Sequence, residues 1–229
     1  MPGIKPGMTK NGKRHAMYQP PHFREDRLAV QHALIREHPL GLLVTAGLGG
    51  LQANHIPFLI HASHSPHGML RAHLARANPQ LRELAAVDEC LIVFQGPQIY
   101  ISPSLYPTKQ EHGKVVPTWN YMTVHAWGRP QVIDDATWLR RQVEDLTAHN
   151  EASRPAPWLV SDAPEDYLAS QIKGIVGIEI PISRIEGKWK VSQNRPAIDR
   201  AGVVAGLRGG SGNAEIIAAA VEERGRSAS

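Results

Sequence analysis

Gly68-Met-Leu-Arg-Ala-His-Leu-Ala-Arg-Ala-Asn-Pro79 is the stretch on which the reading of this chain turns. Residues 68–74 read as a short apolar strand, with Met69, Leu70, Ala72 and Leu74 apolar and Arg71 and His73 between them. Asn78-Pro79 then reads as a helix start. Asn is a good N-cap, and Pro suits the first helical position because its missing N–H would have had no partner there. A helix N-terminus carries free N–H groups and partial positive charge. With Arg71, His73 and Arg76 beside it, the stretch reads either as a cradle for a phosphate or as an ordinary strand-to-helix connection with solvated arginines.

Working outward, residues 24–38 read as a helix with Glu25 and Asp26 at its start, stopped by Pro39. Residues 41–46 and 51–60 form a hairpin around Gly47-Leu-Gly-Gly50. Asn54-His55 is a polar pair inside an otherwise apolar strand. His61, His64 and His67 follow in a Ser/Pro/Gly loop that lacks a carboxylate, so a histidine-rich turn is preferred there to a metal site. Beyond Pro79 come a short helix to 86 and a strongly apolar strand over 89–95. Gly96-Pro97 breaks that strand, and 98–102 resumes it as a bulge or edge. A loop over 102–113 with Lys109 as its main cation precedes a strand over 122–132.

Asp134 or Asp135 caps a helix reaching about 151, and a shorter helix covers 164–172. Residues 174–182 are a last apolar strand, with 188–194 an extension or a turn. Helices over 195–207 and 213–224 are separated by a Gly/Ser break at 209–212. Many strands with few intervening helices predict a mainly β fold, a barrel with helical additions, and not a doubly wound sheet.

Apolar residues make up 42% of 229, without a run of 18, so no spanning helix is expected. The N-terminus has no apolar core and is not read as a secretory signal. The single Cys90 excludes an internal disulfide and suits a reducing cytosol. The formal charge of +4 sits in Lys5, Lys10, Lys13 and Arg14; outside the first 14 residues, basic and acidic residues balance at 21 each. That basic arm reads as a solvated tail rather than a DNA contact.

No nucleophile elbow, P-loop or dinucleotide fingerprint is present. What remains are anion-friendly and ring-friendly residues: Asn54, His55, Arg71, His73, Arg76, Asn78, Ser102, Ser104, Lys109, Thr118, Trp119 and Asn120. Such a set suits a phosphorylated aromatic ligand, with Trp119 or Tyr100 packing on its ring. Singly, each also has a plain structural role: Trp119 as core, Lys109 as an exposed cation.

Residues 52–58 (Gln-Ala-Asn-His-Ile-Pro-Phe), 68–79, 94–107 (Phe-Gln-Gly-Pro-Gln-Ile-Tyr-Ile-Ser-Pro-Ser-Leu-Tyr-Pro), 116–121 (Val-Pro-Thr-Trp-Asn-Tyr) and 192–195 (Ser-Gln-Asn-Arg) closely resemble the PaiB family of FMN-binding proteins. The resemblance runs from Met17 to Leu207. It implies an FMN-binding split barrel, a cytoplasmic homodimer and a flavin at the subunit interface. The family's name-giving members are described as transcriptional regulators. Carried over by position, Asn54, His55 and Ile56, with Arg71 and His73, approach the phosphate and ribityl chain. Arg76 and Asn78 belong to the phosphate site, and Lys109 closes it. Ser102, Thr118, Trp119 and Asn120 lie near the flavin, some of them from the partner subunit. Leu105 stands where such sequences often have Trp, which removes one aromatic wall. The expected organisation is a basic arm over 1–16, a barrel with helical insertions over 17–208 and a helical tail over 209–229. The expected function is FMN binding with flavin-dependent oxidoreduction or flavin-linked regulation. The alternatives are a DNA- or protein-binding regulator without turnover and a haem-binding barrel. No catalytic residue is singled out.

Overall fold

The computed structural model describes residues 17–210 and 212–226. The basic arm at 1–16 lies outside them. The elements in chain order are β1 (Arg24–Glu25), α1 (Leu28–Glu37), β2 (Leu40–Gly47), β3 (Gly50–Pro57), β4 (Leu59–His61), β5 (Met69–Ala75), α2 (Gln80–Leu84), β6 (Cys90–Ile101), α3 (Thr108–His112), β7 (Thr118–Gly128), β8 (Gln131–Ile133), α4 (Ala136–Glu151), α5 (Glu165–Lys173), β9 (Ile175–Lys190), α6 (Ala197–Leu207) and α7 (Asn213–Arg226).

The strands are antiparallel in the order β3-β2-β6-β7-β9-β5-β4. Its two ends, β3 and β4, are consecutive in the chain with only Phe58 between them. The ring therefore closes on itself, and its seam falls at Pro57-Phe58. Pro57 has no N–H to carry a ladder through that point.

Strand β9 is the spine. Its first half pairs with β5 on one side and β8 on the other. Its second half pairs with β7 and with β1. The sequence predicts a strand only to 182; the structure carries it to Lys190, and Lys188-Trp-Lys190 is its extension. The sequence likewise splits 89–102 into two strands, whereas β6 runs through Gly96-Pro97 with a bulge between Gln95 and Gln98. A bulge lets the strand absorb a Pro without losing its partner. The helix predicted over 24–38 begins at Leu28, because Arg24 and Glu25 pair with β9 instead.

Alternate residues of each strand point inward. Leu43, Phe58, Leu70, Ala72, Ile92, Phe94, Val124, Ala126, Ile178 and Ile180 are fully or almost fully buried. Phe58 and Phe94 meet edge-on, ring centroids 5.8 Å apart. Each large side chain contributes about 1.5–3 kcal/mol through burial. Two helical layers cover the outside. One is α4 and α5 with Leu139, Leu168 and Ile172. The other is α6 and α7, whose Val203, Leu207, Ile217 and Val221 join the main core. The C-terminal helix is thus packed into the barrel's own core, and Arg224 reaches the buried carboxylate of Glu25, which Arg27 also holds at 2.7 Å.

Burial pushes the imidazoles of His61, His73 and His125 below their ordinary value, with Arg71 adding to the effect at His61 and Lys188 at His125. An unfolded histidine takes its proton near pH 6.5. Below that pH the unfolded chain binds more protons than the folded one, so stability falls as pH drops through roughly 6.5 and onward to the lowered folded values. Thermal melts between pH 7.5 and 5 are expected to show this loss. The slope is expected to be shallower in His73→Gln; an unchanged slope would remove His73 from the account.

Candidate functional site

The sequence-predicted residues fall into separate groups. At the start of α2, Asn78 Oδ1 accepts from Gln80 N–H at 3.0 Å, taking one of the N–H groups a helix start leaves free. Gln80 is fully buried. Its Nε2 donates to the Leu43 carbonyl and Thr45 Oγ1, and its Oε1 accepts from Asn54 Nδ2 at 2.9 Å. Asn54 and Asn78 thus lock α2 onto β2 and β3. Ile56 is in the core, and His55, on the opposite face of β3, is exposed.

Arg76 follows β5 directly. Its Nη1 and Nη2 donate to Asp134 Oδ2 and Oδ1 at 2.7 and 2.6 Å. Its Nε and Nη2 donate to the carbonyls of Lys173 and Ile175. Two carbonyls fix the guanidinium, and a carboxylate sits on its fork. That is the planar, two-point geometry by which arginine also takes phosphate. The hydrogen bonds from Arg76 hold the Asp134 carboxyl below its ordinary value. Both partners are exposed, at 44% and 62% of their side chains, and an exposed ion pair adds little to stability. An exposed two-point guanidinium fits a phosphate as it fits this carboxylate.

Arg71 and His73 point from β5 toward α4, beneath Trp138 and Gln142, and not into the Arg76 corner. Lys109 is exposed on α3.

Ser102, Thr118, Trp119 and Asn120 come together through the β6–β7 ladder, where Tyr100 faces Trp119 and Ile101 faces Thr118. Ser102 caps a short turn by accepting from Ser104 N–H. Asn120 is fully buried and donates to Ser192 Oγ at 2.9 Å, holding the turn after β9 at Ser192, whose φ is +64°. Trp119 is 50% exposed and meets Tyr100, 49% exposed, edge-on at 6.2 Å. Gln95, Gln98, Trp119, Tyr121 and Thr123 line a hollow of about 330 Å³ on this open sheet face. Lys190 Nζ donates to Thr118 Oγ1 and to the Trp119 carbonyl. Burial, then the neighbouring charges of Lys188 and Arg195, lowers the Lys190 ammonium below its ordinary value.

The two groups sit at opposite ends of β9. Arg76 bonds to the carbonyl of Ile175, and Lys190 lies opposite Tyr121. Fifteen residues along a strand is roughly 50 Å of chain at about 3.3 Å per residue.

Asp134, Gln80, Lys188 and Lys190 belong to these two groups, and the sequence reading leaves them out of its candidate set. The Lys-Trp-Lys alternation, read as a strand, places both lysines on one face with Tyr121.

A family model described as "Putative FMN-binding domain" matches residues 17–184. An uncharacterized protein of Emericella nidulans is 38% identical over 237 residues, covering 88% of this chain and 94% of that protein. The protease synthase and sporulation protein PAI 2 of Bacillus subtilis is 32% identical over 192 residues, covering 84% of this chain and 89% of that protein. Among solved structures, the FAD and haem binding protein of Mycobacterium smegmatis matches with a TM-score of 0.53 at 16% identity, over 73% of each chain, a likeness of fold.

Proposed function

Because the chain belongs to the FMN-binding split-barrel family of PaiB type and takes FMN as its cofactor, we propose that two copies grip each flavin between them. The phosphate lies on Arg76 of one copy, flanked by His55 and Asn78. The ring lies against the partner's Trp119, with Ser102 at its edge, and Lys109 closes the phosphate site.

The observation that carries this reading is the carboxylate of Asp134 seated on a rigidly held Arg76 fork, a ready-made oxyanion position. The placement of the aromatic face at the far end of β9 from Arg76 supports a site completed by a second copy. A two-fold pairing brings each corner to the other copy's face twice, giving two equal sites. Exposed Trp119 and Tyr100 then lose their contact with water.

When bound, FMN supplies hydride and electron chemistry. The chain's own residues bind the phosphate, orient the ring and exclude water from it. This reading makes the protein a cytoplasmic redox flavoprotein; the lone, buried Cys90, whose thiol burial pushes up to about 12, is inert as a nucleophile.

Titration of the flavin-free protein with FMN, followed by flavin fluorescence, tests the reading. Asp134→Ala removes a competitor for Arg76 and is expected to raise FMN affinity by about two- to fivefold, the scale of an exposed ion pair. An affinity that falls or stays the same takes the phosphate away from Arg76.

A further inference from the structure

Between the outer face of β5 and helix α4 lies a second hollow, of about 130 Å³, lined by Arg71, Trp138, Arg141, Gln142 and Asp145. Its floor is unusual. Gln142 is 2% exposed, and neither its Nε2 nor its Oε1 has a hydrogen-bond partner. Leaving a buried amide unsatisfied is costly, and such groups are uncommon in folded proteins. The same layer holds two more buried atoms without a hydrogen-bond partner, His61 Nε2 and His73 Nδ1, and Arg71 Nε there is ion-paired with Glu179 Oε1 at 2.7 Å. Unmet donors and acceptors gathered on one layer, beside a hollow with a polar mouth, mark a place built for a polar guest.

The dimensions limit the guest. At about 30 Å³ per water, the hollow holds roughly four water molecules, well short of the roughly 300 Å³ at which cofactor pockets begin. A flavin is excluded. The charges narrow the choice further. The lining carries two guanidiniums, Arg71 and Arg141, and one carboxylate, Asp145, and the carboxylate of Glu179 lies 2.7 Å from Arg71 Nε. Both signs of charge therefore border the hollow. A simple anion would leave Asp145 unmatched and a simple cation the arginines, whereas a zwitterion meets both. The indole of Trp138 is fixed by its Nε1–H donating to Glu179 Oε1 at 3.1 Å, and it offers an apolar wall for a short side chain.

We propose that the β5–α4 hollow binds a small free α-amino acid. The carboxylate meets Arg71 and Arg141, the ammonium meets Asp145, and the buried Gln142 amide takes the remaining polar contacts. Since α4 starts two residues after Asp134, the anion on Arg76, an occupant here touches the element that also borders the proposed flavin corner.

The test uses the full-length protein carrying FMN, with glycine, alanine, serine and threonine as probes in calorimetric titration, and acetate and methylammonium as half-ligands. At least one amino acid is expected to bind the wild type at least tenfold more tightly than acetate or methylammonium does. Gln142→Leu, similar in volume and free of unpartnered atoms, is expected to fold with an unchanged or raised Tm and to lose that binding at least tenfold, while its FMN affinity stays as in the wild type. Amino acids that bind neither protein, that bind both equally, or that are matched by acetate alone would each overturn the proposal. Unchanged FMN affinity in Gln142→Leu separates this outcome from any failure of the flavin site.

Discussion

In an Asp134→Ala background, a second change, Arg76→Ala, is expected to weaken FMN binding by about tenfold or more, because a bidentate, charge-assisted contact to the phosphate is lost. The background matters. Removing Arg76 alone would strand the Asp134 carboxylate beside an incoming phosphate and add like-charge repulsion to the loss of contact. With both gone, the measured drop reports the guanidinium. Arg76 also donates to the carbonyls of Lys173 and Ile175, so the double variant is expected to melt slightly lower. Riboflavin, which has no phosphate, supplies the control. Its binding is expected to be insensitive to Arg76→Ala. If FMN and riboflavin weaken together, the arginine acts only by holding the end of β5 to β9.

Gly177→Leu is expected to be the most destabilising single change considered. Gly177 lies in β9 opposite His73, and a Cβ there would come within 2.2 Å of the Trp138 ring. The indole has little room to withdraw. Its Nε1 is bonded to Glu179, and Trp138 N–H is held by the helix cap Asp135 at 2.6 Å. Forcing a larger residue into such a contact costs about 1–3 kcal/mol or more. For a chain of this size that lowers Tm by roughly 2–4 °C per kcal/mol. Combining Gly177→Leu with Trp138→Ala is expected to recover part of the loss, because the added side chain fills the space the indole leaves. A double variant less stable than the sum of the two singles would mean that the strain lies in the β9 backbone instead.

Much of the fold is legible in the sequence because it rests on local chemistry. The Gly-rich turn at 47–50 makes a hairpin through Gly50, whose φ of +89° suits glycine. Of the two cap candidates, Asp134 and Asp135, the structure uses Asp135 for α4. The length of β9 is less legible, since Pro181 and the charged run from Arg184 to Lys190 look like a strand's end until a neighbouring strand is in place to accept them. The family-specific stretches point to FMN, and the structure explains why residue types alone do not. Asn54 Nδ2 and Asn78 Oδ1 are bonded to Gln80, and Arg71 and His73 turn toward α4. Arg76 depends on Asp134, which lies 58 residues further along the chain. Pairings of that range are set by topology and leave no mark on local spacing.

The most direct test of the two-copy site is complementation. One chain carries Arg76→Ala and the other Trp119→Ala, each bearing a different affinity tag, and the mixed dimer is purified after co-expression. Each variant alone is expected to bind FMN weakly at both of its sites. The mixed pair is expected to regain one site of wild-type affinity for every two chains, because one corner and one aromatic face then meet intact. A mixed pair that binds no better than its parents, or a chain that stays single in solution when saturated with FMN, would contradict the account.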